Sequence, residues 1–190
     1  HCDLIDNHFA RSLGLPIEFL QLIKSASSVP VDVHLMVKDV EGIVSTLIRI
    51  GIDIITIPVE QIVSIAFRVI AQIKSAGLRV GIALNPITPI ESLEYILPLI
   101  DKVTVLTVDP GLVGQDFIAI TLKKVSALVR LRDLNDYDYD IEVDGSCNEM
   151  NYISMLNSGA NQFVVGTSGL FSLDRNVEIA WKKMKYYMDS

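Results

Sequence analysis

The sequence predicts an α/β fold, a (β/α)8 TIM barrel that lacks its first β/α unit in this sequence. Three observations lead there. Strand-type apolar runs alternate with helix-type stretches seven times, with few residues between them, and strict βαβα alternation builds a parallel sheet covered by helices. The 190 residues fall short of the roughly 250 typical of eight units, and the chain opens on His1 inside a strand-like run. Chemistry-bearing residues fall at the carboxyl ends of the strands, where parallel α/β folds keep their sites. An open doubly wound sheet is the alternative. No linker or composition break divides the chain, so residues 1–190 read as a single barrel domain.

In order, His1 to Asp6 alternates with period 2, placing His1, Asp3 and Ile5 on one face and Cys2 and Leu4 on the other. Pro16 to Ser27 has Ile17, Leu20 and Ile23 at helical spacing, with Pro16 suited to a first turn. Val29 to Val37 is apolar enough for a buried strand, with His34 near its end. A helix follows over 39–50, with Asp39 as N-cap and Gly51 as its stop. Strands are expected at 52–57, 78–84, 102–108, 139–144 and 162–165. Helices are expected at 61–76, 89–97, 116–132, 149–157 and from 174 to about 188.

Half of the residues are hydrophobic and 21% are charged, as in globular chains with one sizeable core. A net charge of -7 without a basic run argues against a nucleic-acid partner. With neither a signal peptide nor an uncharged apolar stretch long enough to span a bilayer, the expected location is cytoplasmic, with no membrane partner. Two cysteines, Cys2 and Cys147, suggest a reduced compartment. A mean hydropathy of +0.41 leads to the expectation of a homo-oligomer.

His1, Asp3, His34 and Asp144 each fall where a strand leaves into a loop. Two imidazoles and two carboxylates offer an N2O2 set for one divalent ion, whether Zn, Fe, Mn or Mg. Alone, His34 reads equally as a core histidine with a satisfied hydrogen bond, and His1 with Asp3 as a solvated strand end. Their joint placement with Asp144 tips the reading to a metal site. The loops Gly111-Leu112-Val113-Gly114, Gly145-Ser146 and Gly166-Thr167-Ser168 can turn backbone N–H groups towards an anion, and barrels often hold phosphate at their last strands. If Asp3 and Asp144 flank a hydroxy-ketone, one can take a proton and the other return it, with the ion steadying the enediolate. Asp6 and Glu60 read as solvated or supporting groups. A decarboxylase or synthase reading would want a Lys at a strand end, and no strand clearly ends in one.

Six motifs carry a resemblance to a known family: His1-Cys2-Asp3-Leu4-Ile5-Asp6, Val31-Asp32-Val33-His34-Leu35-Met36-Val37, Leu84-Asn85-Pro86-Ile87-Thr88-Pro89, Val108-Asp109-Pro110-Gly111-Leu112-Val113-Gly114-Gln115, Glu142-Val143-Asp144-Gly145-Ser146 and Val165-Gly166-Thr167-Ser168. In this order and spacing they resemble the ribulose-phosphate 3-epimerase family, over essentially the whole chain. The resemblance implies a (β/α)8 barrel and one divalent ion on His1, Asp3, His34 and Asp144. It also implies Asp3 and Asp144 as the acid/base pair at C3, a sugar-phosphate substrate, and phosphate on the glycine loops. His34 would also touch substrate. Asp144-Gly145-Ser146-Cys147-Asn148 is more similar to the branch acting on D-allulose 6-phosphate, and D-ribulose 5-phosphate is the alternative. A catalytically silent, sugar-phosphate-binding member is the competing reading; the retained ligand set favours the enzyme.

Overall fold

The computed structural model describes residues 1–10 and 14–189. Seven strands, β1 (Cys2–Ile5), β2 (Asp32–Met36), β3 (Ile54–Pro58), β4 (Arg79–Leu84), β5 (Lys102–Leu106), β6 (Asp140–Asp144) and β7 (Gln162–Val164), form one sheet in chain order. Every neighbouring pair is parallel.

The sheet is curled, and side-chain distances require it. Five strand spacings separate β1 from β6, about 24 Å in a flat sheet. Yet His1 Nε2 lies 4.0 Å from Asp144 Oδ2, and Lys102 Nζ on β5 is 2.6 Å from Asp32 Oδ2 on β2. The predicted barrel architecture is therefore present, with seven strands and no β7–β1 pairing among the described residues.

Period 2 then sorts the strands. One phase (Leu4, Val33, Leu35, Ile55, Ile57, Val80, Ile82, Val103, Val105, Ile141, Val143) is buried in the main apolar core, under the helices α1 (Ile17–Ala26), α2 (Val40–Ile50), α3 (Val59–Ile62), α4 (Ala66–Ser75), α5 (Leu122–Asn135), α6 (Tyr152–Ser158) and α7 (Val177–Asp189). The other phase points into the barrel and is largely polar: Asp32, His34, Thr56, Lys102, Thr104 and Glu142 are all buried. At the opposite end from the glycine loops, side chains at strand starts accept a neighbouring backbone N–H, Asp53 from Val31 and Asp101 from Val80. That end of a barrel serves stability.

Asp39 caps α2 by accepting from Gly42 N–H, and Gly51 ends it in a left-handed conformation, as expected from the sequence. Five other helices depart from expectation, among them α6, which starts at Tyr152, three residues after the expected Glu149. The stretch 61–76 splits into α3 and α4 at the Val63-Ser64-Ile65 break, where β-branched residues crowd a helix. The 89–97 segment is two 3-10 turns, Ile90–Leu93 and Leu97–Leu99; Pro98 has no N–H to bond back four residues, so an α-helical ladder cannot run through it. The helix expected from Asp116 starts at Leu122, because Ile118 N–H is tied to the Thr107 carbonyl at the end of β5. The last helix starts at Val177, where Asn176 Oδ1 accepts from Glu178 and Ile179 N–H. None of the described helices is long and apolar enough to cross a membrane.

Candidate active site

Each of the four expected metal ligands lies on the inward phase of its strand or at its edge. Register pairs Asp3 with His34 across β1 and β2, which places them side by side. Asp144 ends β6 and arrives from across the barrel. One ligand-type atom from each of His1, Asp3, His34 and Asp144 lies within 4.8 Å of the others. Each nitrogen faces both carboxylates. His1 Nε2 is 3.4 Å from Asp3 Oδ1 and 4.0 Å from Asp144 Oδ2; His34 Nδ1 is 3.4 Å and 3.7 Å from the same two oxygens. Around a tetrahedral ion with bonds of roughly 2.0–2.1 Å, neighbouring donors are about 3.3 Å apart.

His34 supplies an independent test of fit. Its side chain is buried, and among the described residues neither ring nitrogen has a hydrogen-bond partner. A buried, unsatisfied imidazole costs about 1–3 kcal/mol, so the bland alternative of a satisfied core histidine does not describe it. The four residues can hold a divalent ion, and the donor set suits several metals.

The electrostatics of this cluster favour positive charge. Burial alone would lower the pKa of His1, but hydrogen bonds to Asp3 and Asp32 and the charges of Asp32 and Asp144 raise it well above the ordinary 6.5. Burial of His34 is likewise outweighed by Asp144 and Asp3, with His1 opposing, and its pKa is raised. Burial would raise the pKa of Asp3; the two imidazoles hold it far below the usual carboxylate range instead.

Asp3, His34 and Asp144 share one cavity of about 560 Å³ with every residue of the three glycine loops. Leu112 and Val113 stand exposed on its rim. Ile5, Met36 and Leu106 line its apolar side. The loops brace one another. Gln115 Nε2 donates to the Asp109 and Leu112 carbonyls. Ser146, at φ 49°, donates its hydroxyl to the Gln115 carbonyl. That proton is committed, so a Ser146 contact to an anion would run through its backbone N–H. Gly145, at φ 115°, has no room for a Cβ against Val108 and Thr107. Residues Thr167–Phe171 form a π-type turn that the sequence reading missed; the first N–H groups of such a turn have no partner inside it. Tyr152 Oη braces it by donating to the Gly169 carbonyl. Asp6 and Glu60 are structural: Asp6 accepts from His8, Phe9 and Lys38 N–H, and Glu60 from Thr88 and Asn85.

A second layer went unnoticed in the sequence. Below the rim, Lys102 Nζ donates to Asp32 Oδ2 at 2.6 Å and Glu142 Oε1 at 2.7 Å, and Thr104 joins Glu142. Burial works against the charge on Lys102, but the two carboxylates raise its pKa. His1, Asp32 and Glu142 also form a ligand-type group, but the Lys102 ammonium already neutralises it. The signal was in the sequence: Asp32 and His34, Lys102 and Thr104, and Glu142 and Asp144 recur at period 2 in strands that should be apolar on both faces.

A curled parallel sheet with its cavity over the carboxyl strand ends is the arrangement of a (β/α)-barrel enzyme. Residues 1–171 match the profile described as the ribulose-phosphate 3 epimerase family. The chain belongs to that family and is an isomerase of the epimerase kind. It is 39% identical over 168 residues to ribulose-phosphate 3-epimerase of Treponema pallidum, covering 88% of this chain and 77% of that one. To ribulose-phosphate 3-epimerase of Methanocaldococcus jannaschii it is 37% identical over 185 residues, covering 97% and 77%. Similar solved structures include 3-hexulose-6-phosphate synthase from Salmonella typhimurium (TM-score 0.65, 16% identity, covering 90% of this chain and 78% of that one). That likeness is one of fold. The single lysine reaching the barrel interior among the described residues, Lys102, enters from a strand start and is held by two carboxylates.

Proposed function

We propose that this chain interconverts the C3 epimers of a ketose phosphate, with a divalent ion held by His1, Asp3, His34 and Asp144. The observation that carries the proposal is the pairing of Asp3 and Asp144 across two imidazoles, on the wall of one cavity shared with three glycine loops. When bound, the ion supplies Lewis-acid stabilisation of negative charge developing on the substrate's C2 and C3 oxygens. Asp3, kept ionised by its imidazole neighbours, removes the C3 proton on one face. Asp144, which enters the step carrying a proton, delivers it to the opposite face of the planar enediolate, so the step ends with Asp3 protonated and Asp144 ionised. In the reverse direction the roles exchange. The backbone of Gly111–Gly114, Gly145-Ser146 and Gly166–Ser168 holds the phosphate, and Ile5, Met36 and Leu106 keep water from the sugar's apolar side.

The relatives' names favour D-ribulose 5-phosphate and D-xylulose 5-phosphate as the pair. A second reading, D-allulose 6-phosphate to D-fructose 6-phosphate, rests on Ser146, where the pentulose branch more often carries a second glycine. The two ketoses differ by one carbon, and both should be tried in deuterated solvent with metal present. The expected result is deuterium at C3 and formation of the epimer, and the better substrate names the branch. Exchange with neither would leave a silent, sugar-phosphate-binding member of the family.

Metal binding carries its own pH signature. The raised imidazole pKa values stabilise the metal-free fold fully below the ordinary 6.5, and that contribution is lost as pH rises through the raised values. The depressed Asp3 pKa adds stability above the carboxylate range and loses it on acidification. Metal needs neutral imidazoles and releases protons on binding. The melting-temperature gain on adding Zn or Mn should therefore grow from pH 6 to pH 8. His34→Ala should remove most of that gain and drop the bound metal well below one ion per chain; an unchanged stoichiometry would make His34 structural.

A further inference from the structure

The ion-pair layer beneath the rim has no part in the chemistry above, and a barrel interior is ordinarily filled by branched apolar side chains. Replacing such buried charges by apolar groups is often stabilising, so stability alone does not account for them. Their geometry supplies a reason. His1 Nδ1 lies 2.6 Å from Asp32 Oδ2, while its Nε2 faces Asp3 and Asp144. A carboxylate only accepts hydrogen bonds, so the proton of a neutral His1 must sit on Nδ1, and Nε2 presents its lone pair to the rim. Asp32 is itself fixed from two further directions, by Thr56 Oγ1 at 2.8 Å on Oδ1 and by Lys102 Nζ at 2.6 Å on Oδ2. Lys102 can reach across because Gly81 lies in its path: a Cβ there would press on Thr56 Oγ1 and sit 3.0 Å from Lys102 Cε. Glu142 holds the other side of the ammonium.

We propose that Asp32 is a positioning residue, clamped by Thr56 and the Lys102–Glu142 pair, which sets the His1 tautomer and ring orientation so that Nε2 is the ligating nitrogen. This rests on the metal-site reading of the rim, and it assigns a role to four residues outside that site.

The test uses the full chain, zinc-loaded, with nitrogen-15 in its three histidines, and reads tautomer by long-range proton–nitrogen correlation and zinc affinity by competition with a chelator. In the unaltered protein His1 should show a protonated Nδ1 and a coordinated Nε2. Asp32→Ala should lose that pattern and weaken zinc about ten- to hundredfold. Asp32→Asn should lie between. Its oxygen can still take the position shared by His1 and Lys102 while its amide nitrogen faces Thr56, so the Nδ1–H tautomer should persist. If Asp32→Ala does not fold, Asp32→Asn decides alone, by retained tautomer with a measurable loss of affinity. An unchanged affinity and tautomer in the folded variants overturns the inference while leaving the rim site standing. An unaltered chain that binds no zinc overturns the rim site as well.

Discussion

Asp144→Asn should leave the barrel folded and metal-competent yet lower turnover on either ketose phosphate by about 10²–10⁴-fold, the contribution of a positioned proton carrier. The substitution keeps side-chain shape. One amide oxygen can still face His34 Nδ1 and His1 Nε2, now 3.7 and 4.0 Å from Oδ2. What it removes is the capacity to hold a proton over one face of C3. Because Asp3 remains, C3–H exchange with solvent should survive better than net epimerisation: a single base can still take and return a proton on its own face. Measuring both on the same sample separates the roles. Near-normal epimerisation in Asp144→Asn would end the two-aspartate reading.

Lys102→Met should be the most damaging change away from the rim. It leaves Asp32 and Glu142, both about 7% exposed, as buried carboxylates without their cation. Breaking a buried pair in this way typically costs about 3–5 kcal/mol, a fall on the order of 10 °C in melting temperature for a chain of this size. The loss should shrink on acidification, since one carboxylate can then take up a proton in place of the ammonium. Thermal melts at pH 5 and pH 8 check this; a pH-independent loss would mean that packing, not charge, dominates at this position.

The strands were legible because they depend on period 2, and the candidate site residues because they fall at strand ends. A parallel sheet enforces alternation strictly, so Asp3 and Asp144 could each be placed on the polar phase of its own strand from spacing alone. Helix starts were less legible, because they are set by contacts that spacing does not encode: the Ile118 N–H held by Thr107, or the Asn176 side chain capping α7. The inner ion-pair layer was hidden for a different reason. Lys102 and Glu142 lie on the adjacent strands β5 and β6, but Asp32 lies on β2, and nothing in one strand says which distant strand it will face once the sheet has curled. Their polarity was visible; their partnership required closure. The Ser146 hydroxyl is a similar case, since its acceptor belongs to Gln115, 31 positions away.

That curl has a thermodynamic consequence for the rim. Asp3 and Asp144 are 141 positions apart in the chain, yet they face the same two imidazoles. An ion joining them would act as a removable crosslink that closes most of the polypeptide into a single loop. Clips that close long loops have the largest effect, in principle, on the entropy of the unfolded chain. An ion proposed to serve the reaction would thus also hold the first strand to the sixth. Loss of metal and loosening of the barrel's long-range register would then be one event viewed from two ends.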